Sequence, residues 1–223
     1  VSARAPLRVG ILISGRGSNM EAVARACRDK RINATVSVVL ADRDSAGGLA
    51  VAKELGIATA VVSWKAFADR AAAESALAKQ IDAHGAEIIV LAGFMRVLSP
   101  ELAERYEGRL INIHPALLPK YRGLHTHSRA LEAGDTDHGA SVHFATAELD
   151  GGPVVLQSRV PVLPDDTENT LAARVLATEH VILPRVIGWI ADGRLVWRDG
   201  KGWLDGRTLD APVVEDFTPV NAH

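Results

Sequence analysis

The sequence predicts a doubly wound α/β fold: a mainly parallel sheet flanked by helices, with a smaller antiparallel part toward the carboxyl end. Three observations carry this. Short apolar runs rich in Val, Ile and Leu alternate with helix-length segments through the first half. Those runs lack regular polar alternation, as expected of strands buried on both faces. Beyond about residue 108, strands are joined by turn-rich connections instead of by helices.

Leu7 to Ser14 is the first buried strand, broken by Gly15-Arg16-Gly17-Ser18-Asn19 before a helix from Met20 to Arg28. A strand from Thr35 to Ala41 precedes a helix from Leu49 to Leu55, which Gly56 stops. The third strand, Ala58 to Val62, leads into an Ala-rich helix from Phe67 to His84 with Gly85 at its end. Ile88 to Ala92 is the fourth strand, and Ser99-Pro100 starts a helix with a capping residue followed by proline. Leu110 to His114 is the fifth strand, closed by Pro115. A long loop follows, then a short helix from Ser128 to Ala133 and strands from Ala140 to Phe144 and Val154 to Pro161. Leu171, Val175, Ile182, Val186 and Ile190 set helical spacing over Glu168 to Ala191, with Pro184 inside as a kink position. Leu195 to Trp197 and Trp203 to Leu204 flank Asp199-Gly200-Lys201-Gly202 and read as a terminal hairpin. Residues 1–108 thus form a nucleotide-binding-type half, residues 109–209 continue the same sheet, and residues 210–223 read as an irregular tail.

The 223 residues are 48% hydrophobic and 23% charged, the balance of a globular domain rather than a disordered chain. A chain of this size buries about 70% of its surface without metal or disulfide support. A net charge of −2 gives no electrostatic footprint for nucleic acid, although local donors can still hold a small anion. The single cysteine, Cys27, excludes an internal disulfide framework and fits a reducing cytosol; within its helix it reads as a small buried hydrophobe. No apolar run reaches membrane-spanning length and no signal-peptide pattern precedes the first strand, so a cytoplasmic enzyme-sized domain is expected.

Three segments can carry chemistry. In Gly15-Arg16-Gly17-Ser18-Asn19, two glycines permit a tight turn and successive N–H groups at a helix start favour an anion. Gly17, Ser18 and Asn19 are therefore candidate phosphate donors; the plainer reading is a strand-to-helix turn capped by Ser or Asn. Met20 occupies the position of a third glycine, so the segment is no dinucleotide fingerprint, and it lacks the Gly-Lys-Ser/Thr of a Walker loop. In Asn112-Ile113-His114-Pro115, the amide and the imidazole are two residues apart and project from the same side at a strand's carboxyl end. An amide that stabilises an oxyanion beside an imidazole that moves a proton suits acyl transfer; two satisfied polar side chains at a strand end is the plainer reading. Asp150 precedes Gly151-Gly152 in turn-like sequence, and near His114 it would favour the imidazolium and orient the ring. His125-x-His127, His138 and His143 raise a metal reading. No HExxH or H-x-x-E-H pattern and no cysteine pair accompanies them, so a hydrogen-bonded loop network and no metal is expected. The four tryptophans read as packing residues, with too few aromatics for a base-stacking platform.

In order and spacing, these segments, together with Leu91-Ala92-Gly93-Phe94-Met95-Arg96-Val97-Leu98-Ser99-Pro100, His138-Gly139-Ala140-Ser141-Val142-His143-Phe144 and Leu149-Asp150-Gly151-Gly152-Pro153, resemble the folate-dependent phosphoribosylglycinamide formyltransferases over about residues 7 to 205. The resemblance implies a Rossmann-like formyltransferase fold and, within purine synthesis, formyl transfer from 10-formyltetrahydrofolate to the amino group of glycinamide ribonucleotide. By correspondence Asn112 holds the formyl oxygen, His114 transfers protons, and Asp150 raises the histidine's pKa and orients it. Gly17, Ser18, Asn19 and Glu179 correspond to ribonucleotide-binding positions. Arg70, Met95, Arg96, Val97, Leu98, Asn112, Thr146, Ala147, Glu148, Leu149 and Asp150 correspond to folate-binding ones, which places catalysis and folate binding in residues 109–209 with contributions from the first half. Both partners are small molecules, and neither nucleic acid nor membrane is expected. Ala116 stands where relatives often carry serine, and Arg16 adds a charge within the phosphate loop. The related methionyl-tRNA formyltransferases add a basic RNA-binding domain, and formyltetrahydrofolate hydrolases add an amino-terminal regulatory domain, while here the first strand begins near residue 7. A non-catalytic nucleotide-binding module would leave Asn112, His114 and Asp150 without a shared purpose.

Overall fold

The first strand shows why the chain folds in layers. In β1 (Leu7–Ile13), Val9, Ile11 and Ile13 are buried in one apolar core and Leu12 in another, so successive side chains serve opposite faces of the sheet. Gly10 sits on the second face because a Cβ there would lie 3.0 Å from the Ala86 methyl. The structure is a computed structural model that describes residues 4–218.

After β1 come α1 (Ser18–Arg28), β2 (Ala34–Ala41), α2 (Gly48–Glu54), β3 (Thr59–Val61), a 3-10 turn (Trp64–Ala66), α3 (Arg70–Ala83), β4 (Ile88–Leu91) and α4 (Pro100–Arg105). The second half contains β5 (Leu110–His114), α5 (Thr126–Glu132), β6 (Asp137–Phe144), β7 (Val154–Pro161), α6 (Glu168–Ala191), β8 (Leu195–Arg198), β9 (Lys201–Leu204), β10 (Arg207–Thr208) and β11 (Val213–Asp216). The main sheet has strand order β11-β7-β6-β5-β4-β1-β2-β3. Strands β1 to β5 pair in parallel, β6 is antiparallel to both β5 and β7, and β8, β9 and β10 form a separate antiparallel sheet. Apolar faces of α1, α2 and α6 cover one side and those of α3 and α4 the other, the doubly wound arrangement expected from the sequence. The chain order reverses between β1 and β4, and at such a switch point the carboxyl ends of the strands leave a crevice.

Two expectations need correction. The helix expected from Phe67 begins at Arg70, because the Asp69 side chain accepts the Ala72 N–H at 2.8 Å and caps it there; Trp64–Ala66 forms its own 3-10 turn. Helix α6 spans Glu168–Ala191 as expected, with Pro184 buried inside it. The tail expected over 210–223 is not irregular throughout: Val213–Asp216 is β11, paired in parallel with β7. Its acids are ion-pair partners: Asp216 receives Arg159 at 2.6 Å, and Glu215 pairs with Arg185 of α6. Residues 219–223 of that expected tail lie outside the described residues.

Candidate active site

Strand β5 ends in the crevice and carries Asn112 and His114 two residues apart. Both line a cavity of about 510 Å³, within the range of small-molecule sites. Antiparallel pairing places His143 of β6 directly across from Asn112, and Ser141 across from His114. The His143 pairing sets the amide. His143 Nδ1 lies 2.9 Å from the Phe144 carbonyl, which only accepts, so that nitrogen carries the hydrogen and Nε2 is a lone pair. Asn112 Nδ2 donates to that Nε2 at 3.0 Å. Burial lowers the pKa of His143, against the Phe144 carbonyl and Asp150, which keeps the ring neutral for this role.

His114 is buried, and its Nε2 donates to the Tyr121 carbonyl at 2.9 Å. Tyr121 turns that carbonyl inward from a left-handed backbone conformation (φ 55°). Nδ1, the ring nitrogen left over, faces Asp150 Oδ2 at 3.6 Å. Asp150 is itself left-handed (φ 49°), a conformation that Asp tolerates better than most residues. Its carboxylate accepts the Gly123 N–H at 2.9 Å and the Asn112 amide at 3.4 Å. Amide, imidazole and carboxylate, 38 residues apart at the extremes, therefore meet at one point. Below them Ser141 fastens the intervening loop, donating to the Ala116 carbonyl at 2.6 Å and accepting the Leu118 N–H at 3.1 Å.

The ribonucleotide candidates sit at the start of α1. Gly17 is its N-cap (φ 77°) with no side-chain cap, so the plainer reading, a Ser- or Asn-capped helix, does not apply. A Cβ on Gly17 would lie 2.8 Å from the Gly48 Cα, so only glycine fits. Asn19 is buried on the cavity wall and donates to Glu179 of α6 at 2.6 Å, while its Oδ1 has no protein partner. Burial raises the Glu179 pKa, opposed by the Asn19 hydrogen bond. Gly17 and Ser18 stand beside the cavity rather than on its wall.

The folate candidates form two further walls. Met95, Arg96, Val97 and Leu98 line one, and Thr146, Ala147, Glu148, Leu149 and Asp150 another. Met95, Val97, Leu124 and Leu149 are each more than half exposed, an apolar surface at the cavity. Arg70 is not on the wall; it pairs with Glu74 and donates to the Val97 carbonyl at 2.7 Å, supporting the wall from behind. Arg122 pairs with Glu148, linking the loop after His114 to the Thr146–Asp150 segment.

Sequence reasoning missed Ser14 and Asp42. The Ser14 N–H donates to the Gly93 carbonyl at 3.1 Å, and its Oγ accepts the Met95 N–H at 2.8 Å. Buried Asp42 accepts Arg96 at 2.7 Å as well as Arg43, and Arg96 lies over the Trp64 ring. Burial pushes the Asp42 pKa up, but hydrogen bonds from Arg43, Ser14 and Arg96 outweigh it and hold the carboxyl below its usual range. Among the described residues, no group of three or more His, Cys, Asp or Glu side chains is arranged to hold a metal ion. No helix among them is long and apolar enough to cross a membrane.

Known proteins share this sequence and fold. Phosphoribosylglycinamide formyltransferase of Escherichia coli is 51% identical over 203 residues, covering 91% of this chain and 96% of that one. The Haemophilus influenzae protein of the same name is 41% identical, covering 91% and 95%. The solved phosphoribosylglycinamide formyltransferase of Coxiella burnetii superposes with a TM-score of 0.90 at 44% identity, covering 94% of this chain and 99% of that one. With the formyl transferase family profile matching residues 7–187, from β1 into the last turns of α6, the chain belongs to the formyl transferase family.

Proposed function

We propose that this chain transfers a formyl group from 10-formyltetrahydrofolate to the amino group of glycinamide ribonucleotide, giving formylglycinamide ribonucleotide and tetrahydrofolate for purine synthesis in the cytoplasm. The observation that carries this reading is the meeting of Asn112, His114 and Asp150 on the wall of the cavity that also holds the Asn19–Glu179 pair.

Each group has one step. The ribonucleotide amine attacks the formyl carbon, and the carbonyl pair moves onto oxygen. Asn112 has two amide hydrogens: one is committed to His143, and the other, held only by the 3.4 Å contact to Asp150, is offered to the developing oxyanion. His114 has Nε2 tied to Tyr121, so Nδ1 moves the proton from the attacking nitrogen to the departing N10 of the folate. Asp150 balances the imidazolium formed in between, its own position fixed by the Gly123 N–H. Collapse of the intermediate breaks the bond to N10. Gly17, Ser18, Asn19 and Glu179 hold the ribonucleotide; Met95 to Leu98 and Thr146 to Asp150, braced by Arg70, hold the folate.

Tetrahydrofolate formation, followed with and without glycinamide ribonucleotide, tests the reading. Release that depends on the ribonucleotide is expected. Equal release without it would mean hydrolysis, and ligand binding without any release would mean a binding module.

A further inference from the structure

Helix α5 places His127 on the wall of the same cavity, and no step above uses it. Its Nδ1 lies 3.1 Å from Nε2 of His138, a buried residue of β6. His127 Nδ1 is thereby engaged by His138, and in the tautomer that carries its hydrogen there it donates to His138 Nε2. That tautomer leaves His127 Nε2, the ring nitrogen not engaged by His138, as a lone pair.

The proton balance of formyl transfer leaves a task for such a group. An α-amino group has a pKa of about 7.7–8.0, so near pH 7 the acceptor arrives mainly as an ammonium with no lone pair to attack. Of its three ammonium hydrogens, one remains on the product amide and one passes through His114 to N10 of the leaving folate. The third must go to a base before the carbon–nitrogen bond can form. We propose that His127 Nε2 is the base that takes this first proton, leaving His114 to carry the second.

The surroundings fit that division of labour. Burial lowers the His127 pKa, opposed by Glu168 at the start of α6, and His114 lowers it further. The ring is therefore neutral and able to accept near pH 7, and Glu168 stabilises the charge it gains. His138, pushed down to about 4 by burial and by His127 despite Asp135, stays neutral and does not compete for the proton.

The proposal rests on the formyl-transfer reading, and pH separates the two. kcat/KM for the ribonucleotide is measured at saturating folate from pH 6 to 9.5 in the wild type and in His127→Gln, with thermal unfolding as the check on folding. Near pH 7 the variant is expected to lose roughly 10- to 100-fold; by pH 9.5, where the amine is already neutral, the loss should shrink to about threefold or less. A loss of constant size across the range would make His127 structural, and a variant as fast as wild type near pH 7 would make it a bystander; either overturns the proposal. If His127→Gln does not fold, His127→Asn takes its place in the same comparison. A wild type that forms no formylated ribonucleotide at any pH would instead refute the formyl-transfer reading itself.

Discussion

Gly17→Ala adds one methyl group to the loop assigned to the ribonucleotide phosphate, and its cost follows from the structure. The residue has φ 77°, where a side chain costs about 1–2 kcal/mol. The new Cβ would start 2.8 Å from the Gly48 Cα, while ordinary contact begins at 3.4 Å, so the loop or the start of α2 must give by the difference, 0.6 Å. Gly48 resists because its N–H is bonded to the Gly15 carbonyl at 3.0 Å. Overpacking of this kind costs about 1–3 kcal/mol. The total of about 2–5 kcal/mol would lower Tm by roughly 4–20 °C at the 2–4 °C per kcal/mol usual for a domain of this size. Displaced donors should raise the ribonucleotide KM about 10- to 100-fold, or 1.4–2.8 kcal/mol, and leave the folate KM within about threefold. Steady-state kinetics with each substrate varied, and calorimetric unfolding, supply both readings. Equal rises in the two KM values in a folded variant would show that the loop is only a structural turn.

His114→Ala should lower kcat by about 10²–10⁴ and Asn112→Ala by about 10²–10³, with ribonucleotide affinity measured by calorimetry within about tenfold of wild type; wholesale loss of that affinity would instead place these side chains in the acceptor site. His143→Leu removes the acceptor that pins the Asn112 amide, leaving a buried N–H unpaired at a cost of about 1–3 kcal/mol. Its kcat should fall roughly 5- to 150-fold with both KM values little changed, and an unaltered kcat would free Asn112 from this dependence. Glu179 has a raised pKa through burial, so its contribution is favourable below its unfolded pKa of about 4.3 and is lost as pH rises through the folded value. Glu179→Gln should therefore gain Tm relative to wild type as pH goes from 5 to 8 while its ribonucleotide KM rises at least about tenfold; calorimetry showing a Tm gap independent of pH would refute the buried-charge account.

Local signals made much of this legible in the sequence. Ser99-Pro100 marked the start of α4, where Ser99 indeed accepts the Leu102 N–H, and the period of two put Asn112 and His114 on one cavity wall. What escaped was set by pairing between distant segments. That His143 faces Asn112 depends on the antiparallel register of β5 and β6, and that His114 is anchored depends on a backbone carbonyl at Tyr121, which no side-chain pattern announces. Of the histidines read as a loop network, His143 pairs with Asn112 and His127 with His138, while His125 joins neither pairing. Strand β11 escaped because it offers only the adjacent Val213 and Val214, followed by two acids whose partners Arg159 and Arg185 are distant in sequence.

Ser14 follows β1 and immediately precedes the glycine loop, yet it is fastened at both its N–H and its hydroxyl to the segment that carries Met95. The sites proposed for the two substrates thus share a single stitch. A ligand that tightens one side of it changes the cost of ordering the other, and thermodynamic reciprocity makes the effect mutual: whatever factor the ribonucleotide applies to folate affinity, folate must return to the ribonucleotide. The order in which the two substrates enter would then be a matter of concentration and rate, with the coupling between them the same by either route.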